Sequence, residues 1–249
     1  MNPSSKPAPL PRYTVLGAGR WAGILAGILN KEGRGVAVLS GNRQAPDENT
    51  EAYLARQRRR LEDAGEIVWI AVPPGPHVPL MVRAALEQGR HVIVEKPWLA
   101  DAAESRALDD FAAARGLRCA VHYQYCLLDR VRELSVTLDQ GAGWAFSGQF
   151  TIGRASLNGI AANLNLGSHL VSLWRDAFPK AARGEMFVGY ELADCRSVTL
   201  TGPRGAHEID FSQNAEPIIQ RFITAFEAGT FGPISLTVAA EIGEISLCL

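Results

Sequence analysis

Three consecutive residues, Glu95-Lys96-Pro97, carry the clearest chemistry in this chain. They close the stretch IAVPPGPHVPLMVRAALEQGRHVIVEKP, Ile70 to Pro97, which reads as strand, proline-broken loop, helix and strand. An amine and a carboxylate held side by side where a buried strand ends, ahead of a proline, are what a dehydrogenase site needs. A second pair stands further along, Asn165 and His169 in NLGSH. Four residues apart on a helix, they share one face and can both point into one crevice.

The elements that would position these groups alternate strand and helix. Tyr13-Thr14-Val15-Leu16 is a short strand that stops at Gly17-Ala18-Gly19-Arg20-Trp21-Ala22, and ILAGILNKEG continues as a buried helix. Glycines between a strand and a helix are the setting of a dinucleotide fingerprint. Gly17 would permit the tight turn, and Gly19 would let the backbone approach a pyrophosphate seated on the helix N-terminus. Arg20 offers a cationic contact beside it, with Trp21 next in line. The following strand ends at Ser40-Gly41-Asn42-Arg43, with no acid to accept from a ribose 2′-hydroxyl. A guanidinium and a hydroxyl welcome a 2′-phosphate, so NADP(H) is favoured over NAD(H). Next to such a nicotinamide, a partly desolvated Lys96 would have its pKa lowered toward neutrality, which suits it to proton transfer.

Glu66 to Val72 reads as a central parallel strand, and Pro73-Pro74-Gly75-Pro76 breaks it before a helix begins at His77. His91 to Val94 is a further strand, 101–114 a helix, and Arg118 to Tyr123 a last strand. Six strands with intervening helices would make a doubly wound sheet, whose ligand crevice lies at the carboxyl ends of its strands. The glycine loop, Ser40–Arg43, Val72 with Pro73, Pro74 and His77, Lys96, and His122, Tyr123 and Tyr125 all fall at that edge. The arginine-rich run 51–63 is flanked by acids and reads as a solvated helix face.

Composition excludes several other classes. A formal net charge of −1 gives no general pull toward nucleic acid or an anionic membrane. The 4 cysteines are scattered without Cys-x-x-Cys spacing, so no metal site is expected. No apolar run approaches the ~20 residues of a membrane span. The polar, proline-rich start lacks a signal-peptide core, and a cytoplasmic protein is expected.

With GAGRWA (17–22), SGNR (40–43), AVPPGPHVPLMVRAALEQGRHVIVEKPWLAD (71–101) and VHYQY (121–125), the chain resembles the glucose–fructose oxidoreductase / inositol dehydrogenase (Gfo/Idh/MocA) family. The resemblance implies an α/β Rossmann domain followed by an α+β domain whose open sheet walls the substrate site and commonly forms the oligomer interface. Lys96 then looks like the family's active-site lysine. Glu95 would help hold the cofactor end of the site, and Pro97 corresponds to a frequently cis proline. His169 looks like the proton-transferring histidine, and His122, Tyr123 and Tyr125 like substrate-facing residues. Asn165 stands where relatives usually carry aspartate. Asparagine neither accepts a proton nor stabilises an imidazolium, so His169 becomes a better donor than acceptor, and the expectation tilts to reduction.

These readings set three segments: a flexible lead-in over 1–11, a Rossmann dinucleotide-binding domain over 12–123, and a reduced α+β substrate and oligomerisation domain over 124–249. The second domain would hold an open, mainly antiparallel sheet of about four strands, at 145–152, 186–192, 197–201 and 207–211, and its terminal helix could pack back on the first domain. The expected function is NADPH-dependent reduction of a carbonyl on a small sugar-like or cyclic metabolite, in a homo-oligomer (dimer or tetramer) without nucleic-acid or membrane partners. Two alternatives stay open: imine (C=N) reduction, and a catalytically weakened NADP-binding regulator or partner subunit.

Overall fold

The computed structural model describes residues 9–40, 44–138, 143–156, 159–212, 215–230 and 234–249. Gly41, Asn42 and Arg43, and the lead-in over 1–8, lie outside the described residues. The chain divides into two compact units. The first takes Met1–Val72, Pro76–Val94 and Phe111–Cys119, the second Pro73–Gly75, Glu95–Asp110 and Ala120–Leu249.

From the start of the chain strands and helices alternate as β1 (Tyr13–Leu16), α1 (Arg20–Lys31), β2 (Val36–Leu39), α2 (Thr50–Arg60), β3 (Ile67–Ile70), α3 (His77–Glu87) and β4 (His91–Glu95). After α4 (Ala102–Ala113), β5 (Cys119–His122) completes a five-stranded sheet of order β2-β1-β3-β4-β5. Among the described residues this sheet has five strands where six were expected: each of the five runs named from the sequence forms one, and the charged run after β2 forms the helix α2. β1 pairs in parallel with both β2 and β3, Leu16 standing opposite Leu39 and Ile70. All four residues of β1 and of β3 are buried, as strands covered on both faces require. α1 hides Ala22, Leu25, Ala26 and Leu29, the one-sided spacing of a helix laid on a sheet. The strand order reverses at β1, the switch point where open α/β sheets bind ligands.

The second unit holds a sheet of order β7-β6-β8-β9, built from β6 (Ala145–Ile152), β7 (Ala182–Tyr190), β8 (Cys195–Gly202) and β9 (Gly205–Asp210). Pairings β6/β8 and β8/β9 are antiparallel. β7 instead runs parallel to β6, the one parallel pairing in a sheet expected to be mainly antiparallel. The cause is the connection: a helical crossover returns the chain to the starting edge before β7 begins. That crossover is a π-turn (Asn163–Gly167), the short helix α6 (Ser168–Ser172) and a second π-turn (Leu173–Ala177). Phe146, Phe150, Val198, Leu200 and Ile209 of the sheet pack in one core with Leu166, Leu170 and Leu173 of the crossover.

A 3₁₀ turn (Gln124–Leu127) and helices α5 (Asp129–Leu138), α7 (Glu216–Ala228) and α8 (Leu236–Ser246) finish this unit. The start of α8 is anchored by Asp109, whose carboxylate accepts from the backbone N–H groups of Leu236 and Thr237 at 3.1 and 2.9 Å. Among the described residues, no helix is long and apolar enough to cross a membrane.

Candidate active site

In the first unit the glycine loop is shaped by backbone packing. Gly17 has φ +157°, and a Cβ there would collide with the carbonyl oxygen of Ala71 at the end of β3. At the next glycine the surroundings differ: a Cβ on Gly19 would meet nothing within 4 Å. Gly19 is the N-cap of α1, makes no side-chain cap, and no acid occupies the first turn. The first N–H groups of α1 are therefore left for an anion, and the open space over Gly19 lets one approach. The indole Nε1 of Trp21 is buried without a hydrogen-bond partner among the described residues. This loop fits a dinucleotide pyrophosphate. Ser40 follows β2, and its carbonyl accepts from the guanidinium of Arg60 on α2. Arg60, expected on a solvated helix face, is partly buried, and burial is the main cause that lowers its pKa. Val72 ends this unit's first segment, His77 opens α3, and Pro73 and Pro74 belong to the second unit.

In the second unit, β4 delivers Glu95 and then a cis Lys96–Pro97 bond. Trp98 is 1% exposed and donates through Nε1 to Ser105 Oγ at 2.8 Å, which pins the chain just past Pro97. The Lys96 ammonium donates to Asn165 twice, to the backbone carbonyl at 2.9 Å and to Oδ1 at 2.6 Å. On its other side, Asn165 Nδ2 donates to the Tyr190 hydroxyl at 2.7 Å. Only one amide orientation serves, because the reverse would put an NH₂ group against an ammonium. Asn165 lies in a π-turn, a widened helix that turns its carbonyl and side chain together toward Lys96. Burial lowers the Lys96 pKa from 10.5 to about 8; Glu95 draws it back up and Arg196 pushes it down. An aspartate at 165 would have added a counter-charge and opposed that fall.

His169, at 5% exposure, sits in α6 among aromatic rings: Tyr125 at 4.7 Å, and Tyr123 and Phe150 each at 6.0 Å. Its Nδ1 is buried with no hydrogen-bond partner among the described residues. Burial first, then the charges of Lys96, His122 and Arg196, hold its pKa well below 6.5. The imidazole is therefore neutral at ordinary pH. Of the two expected proton donors, Lys96 has the charge to give and His169 does not.

Glu95 Oε1 lies 2.9 Å from His122 Nδ1, and the His122 ring packs edge-on against Phe222 of α7 at 4.4 Å. His122 and Tyr123 are 0% exposed and Tyr125 5%, so these side chains form the wall behind His169. The structure thus joins Lys96 to Asn165, Glu95 to His122, and Tyr123 and Tyr125 to His169. Sequence reasoning missed Tyr190 and Arg196. Tyr190 shares the inner sheet face with Met186 and Val188, and Arg196 shares it with Val198 and Leu200. A strand begun two residues earlier would have revealed Arg196 as a cation heading an apolar column. Among the described residues, no cluster of His, Cys, Asp or Glu could hold a metal ion.

Residues 12–123 match the profile of an oxidoreductase family with an NAD-binding Rossmann fold, Gfo/Idh/MocA. The chain is 36% identical over 119 residues to dTDP-3,4-didehydro-2,6-dideoxy-α-D-glucose 3-reductase of Streptomyces violaceoruber, covering 47% of this chain and 34% of that protein. The match therefore spans about a third of that relative's length. Among solved structures, the WlbA (WbpB) dehydrogenase of Thermus thermophilus, in complex with NAD and UDP-GlcNAcA, superposes with a TM-score of 0.72 at 18% identity, covering 95% of this chain and 94% of that one. A 3-ketoreductase of Actinomadura kijaniata, in complex with TDP-benzene and NADP, gives 0.66 at 17% identity, covering 96% of each chain. At these identities the likeness is one of fold.

Proposed function

The chain belongs to the Gfo/Idh/MocA oxidoreductase family through its NAD(P)-binding Rossmann domain, and from that premise we propose that it is an NADP-dependent reductase of a carbonyl on a sugar-like metabolite. The observation that carries this reading is the Lys96 ammonium fixed on Asn165 at 2.6 and 2.9 Å with a pKa of about 8. NADPH, when bound, would supply the hydride. Gly17, Gly19 and the first turn of α1 would hold its pyrophosphate, with Arg20 and Trp21 alongside. Ser40, Gly41, Asn42 and Arg43 would meet the 2′-phosphate, with Arg60 as a further cation near the end of β2. Val72, Pro73, Pro74, His77, Glu95 and Pro97 complete the cofactor set of this reading.

As that hydride reached the carbonyl carbon, the carbonyl oxygen would take its proton from Lys96 Nζ, leaving the lysine as the free amine. Asn165 orients the lysine without adding a negative charge, so the ammonium stays acidic enough to give the proton at physiological pH. Neutral His169 lines the pocket and can donate or accept one hydrogen bond to a substrate hydroxyl. Tyr123 and Tyr125 fix its ring, and Glu95 fixes His122. The substrate class follows two of these proteins, whose descriptions name nucleotide-linked sugars. A soluble cytoplasmic homo-oligomer completes the proposal; Phe187, 54% exposed on edge strand β7, is the kind of residue a second copy would cover.

A specific observation also favours imine reduction as a second reading. A lysine acid with a neutral partner suffices to protonate nitrogen, and no strong base is required. The test is a dinucleotide titration followed by turnover on panels of nucleotide-linked keto-sugars and cyclic imines. Turnover lost in Lys96→Ala supports the reductase, and the panel decides between C=O and C=N. NADPH binding without hydride transfer to either panel overturns it in favour of a regulator. NADH bound as tightly as NADPH overturns the cofactor preference.

A further inference from the structure

Arg196 has no place in the hydride-transfer step, yet it stands on the wall of the same site. The β6/β8 register sets it opposite Phe150, whose ring packs 6.0 Å from His169. Strand alternation gives Arg196 the same face as Val198 and Leu200, both fully buried. Its own carbonyl accepts from the backbone N–H of Phe211 at 2.7 Å, and the Phe211 ring packs on Tyr125 at 5.1 Å. Arg196 thus stands beside Phe150, one of the rings around His169, and its backbone is tied to Phe211, whose ring packs on Tyr125 and Phe150. Its charge is felt at both Lys96 and His169. No ion pair involves Arg196 among the described residues, although Arg175, Arg56 and Arg58 all have carboxylate partners. A half-buried guanidinium facing a second cation, with no counter-charge, costs folding free energy unless something else neutralises it.

Glu95, whose charge is felt at Lys96, lies 2.9 Å from His122. Asn165, which holds the Lys96 ammonium, is neutral. Lys96 and Arg196 therefore make the site cationic, and His169 Nδ1 adds a buried polar atom without a hydrogen-bond partner among the described residues, all within one compact unit.

We propose that Arg196 binds an anionic group of the substrate, a carboxylate on the sugar or a phosphate of its carrier, and so selects acidic sugar derivatives over neutral ones. This rests on the reductase reading for the substrate's place at Lys96, but the charge preference itself is a property of binding. A guanidinium suits either oxyanion because its paired N–H groups match two oxygens at once.

The experiment measures equilibrium binding of D-glucuronate, uridine diphosphate and D-glucose by calorimetry, to the protein alone and to the protein saturated with NADP. Wild-type protein is expected to bind one of the anions at least tenfold more tightly than glucose. Arg196→Gln should remove that advantage, and Arg196→Lys should keep part of it, which also controls for a variant that fails to fold. Loss confined to glucuronate assigns the carboxylate, and loss confined to uridine diphosphate assigns the phosphate. Glucose binding as well as both anions, or an anion preference unchanged in Arg196→Gln, overturns the proposal. Failure of NADP to bind would instead overturn the reductase reading, so the two failures are read separately.

Discussion

Lys96 and Asn165, 69 positions apart in the chain, are joined by two hydrogen bonds of 2.6 and 2.9 Å from one ammonium. Asparagine here is a positioning group: its carbonyl oxygens hold the lysine, and its amide is held in turn by Tyr190. The absence of an acid at 165, which from sequence tilts the expectation to reduction, leaves the lysine with a pKa of about 8.

The first consequence is a pH profile. Reduction needs Lys96 protonated, so kcat/KM for reduction should fall about tenfold per pH unit above pH 8. Oxidation of the product should rise to a plateau over the same range. Lys96→Arg keeps the charge but cannot titrate there, so the limb should vanish and the rate fall by about 10²–10⁴. A limb that persists in Lys96→Arg would assign it to another group.

Asn165→Asp places a carboxylate on the ammonium and should move the same limb upward by about 1 pH unit or more. His169 should become easier to protonate at the same time. A limb that stays in place or moves down would contradict the electrostatic role given to Asn165.

Lys96 also sets a stability signature. Its folded pKa, about 8, lies below the ordinary 10.5, so between these values the unfolded chain binds more protons than the folded one. Stability from this group therefore increases as pH rises through that window, and the cost of the buried charge is fully present below pH 8. Denaturant titrations should show Lys96→Met gaining on wild type at pH 7, with the difference shrinking by pH 10.

Tyr190→Phe removes the acceptor of Asn165 Nδ2 and should cost about 1–3 kcal/mol of stability if that amide is left unpaired. As a positioning residue, Tyr190 should affect kcat more than KM. Its effect should also be strongly non-additive with Asn165→Ala, because both act on one lysine. Additive losses in the double-mutant cycle would separate Tyr190 from the site.

The two glycines of the loop should fail differently. Gly17→Ala forces a Cβ onto the Ala71 carbonyl, so thermal unfolding should show a loss of about 1–3 kcal/mol. Gly19→Ala meets open space and should leave stability nearly unchanged while weakening dinucleotide binding. Equal stability losses in both would remove the argument that the space over Gly19 is kept for a ligand.

The sequence by itself determined the Rossmann half, the glycine loop, and the delivery of Glu95 and Lys96 at a strand end. These are local: runs such as Ile67–Ile70, the strand–glycine–helix order and a proline after a strand are set by neighbours in the chain. Tertiary structure decided the rest. The parallel placement of β7 depends on a crossover whose path local periodicity does not encode, and that placement sets Tyr190 against Asn165. The two π-turns likewise have no local signature here. Burial, which makes Lys96 acidic and His169 neutral, comes from side chains far apart in sequence. Arg196 gains its meaning only when register sets it opposite Phe150. Chemistry-bearing residues were legible because their types and spacing are local, whereas their protonation states and partners depend on a solvent-excluded environment that only the folded chain creates.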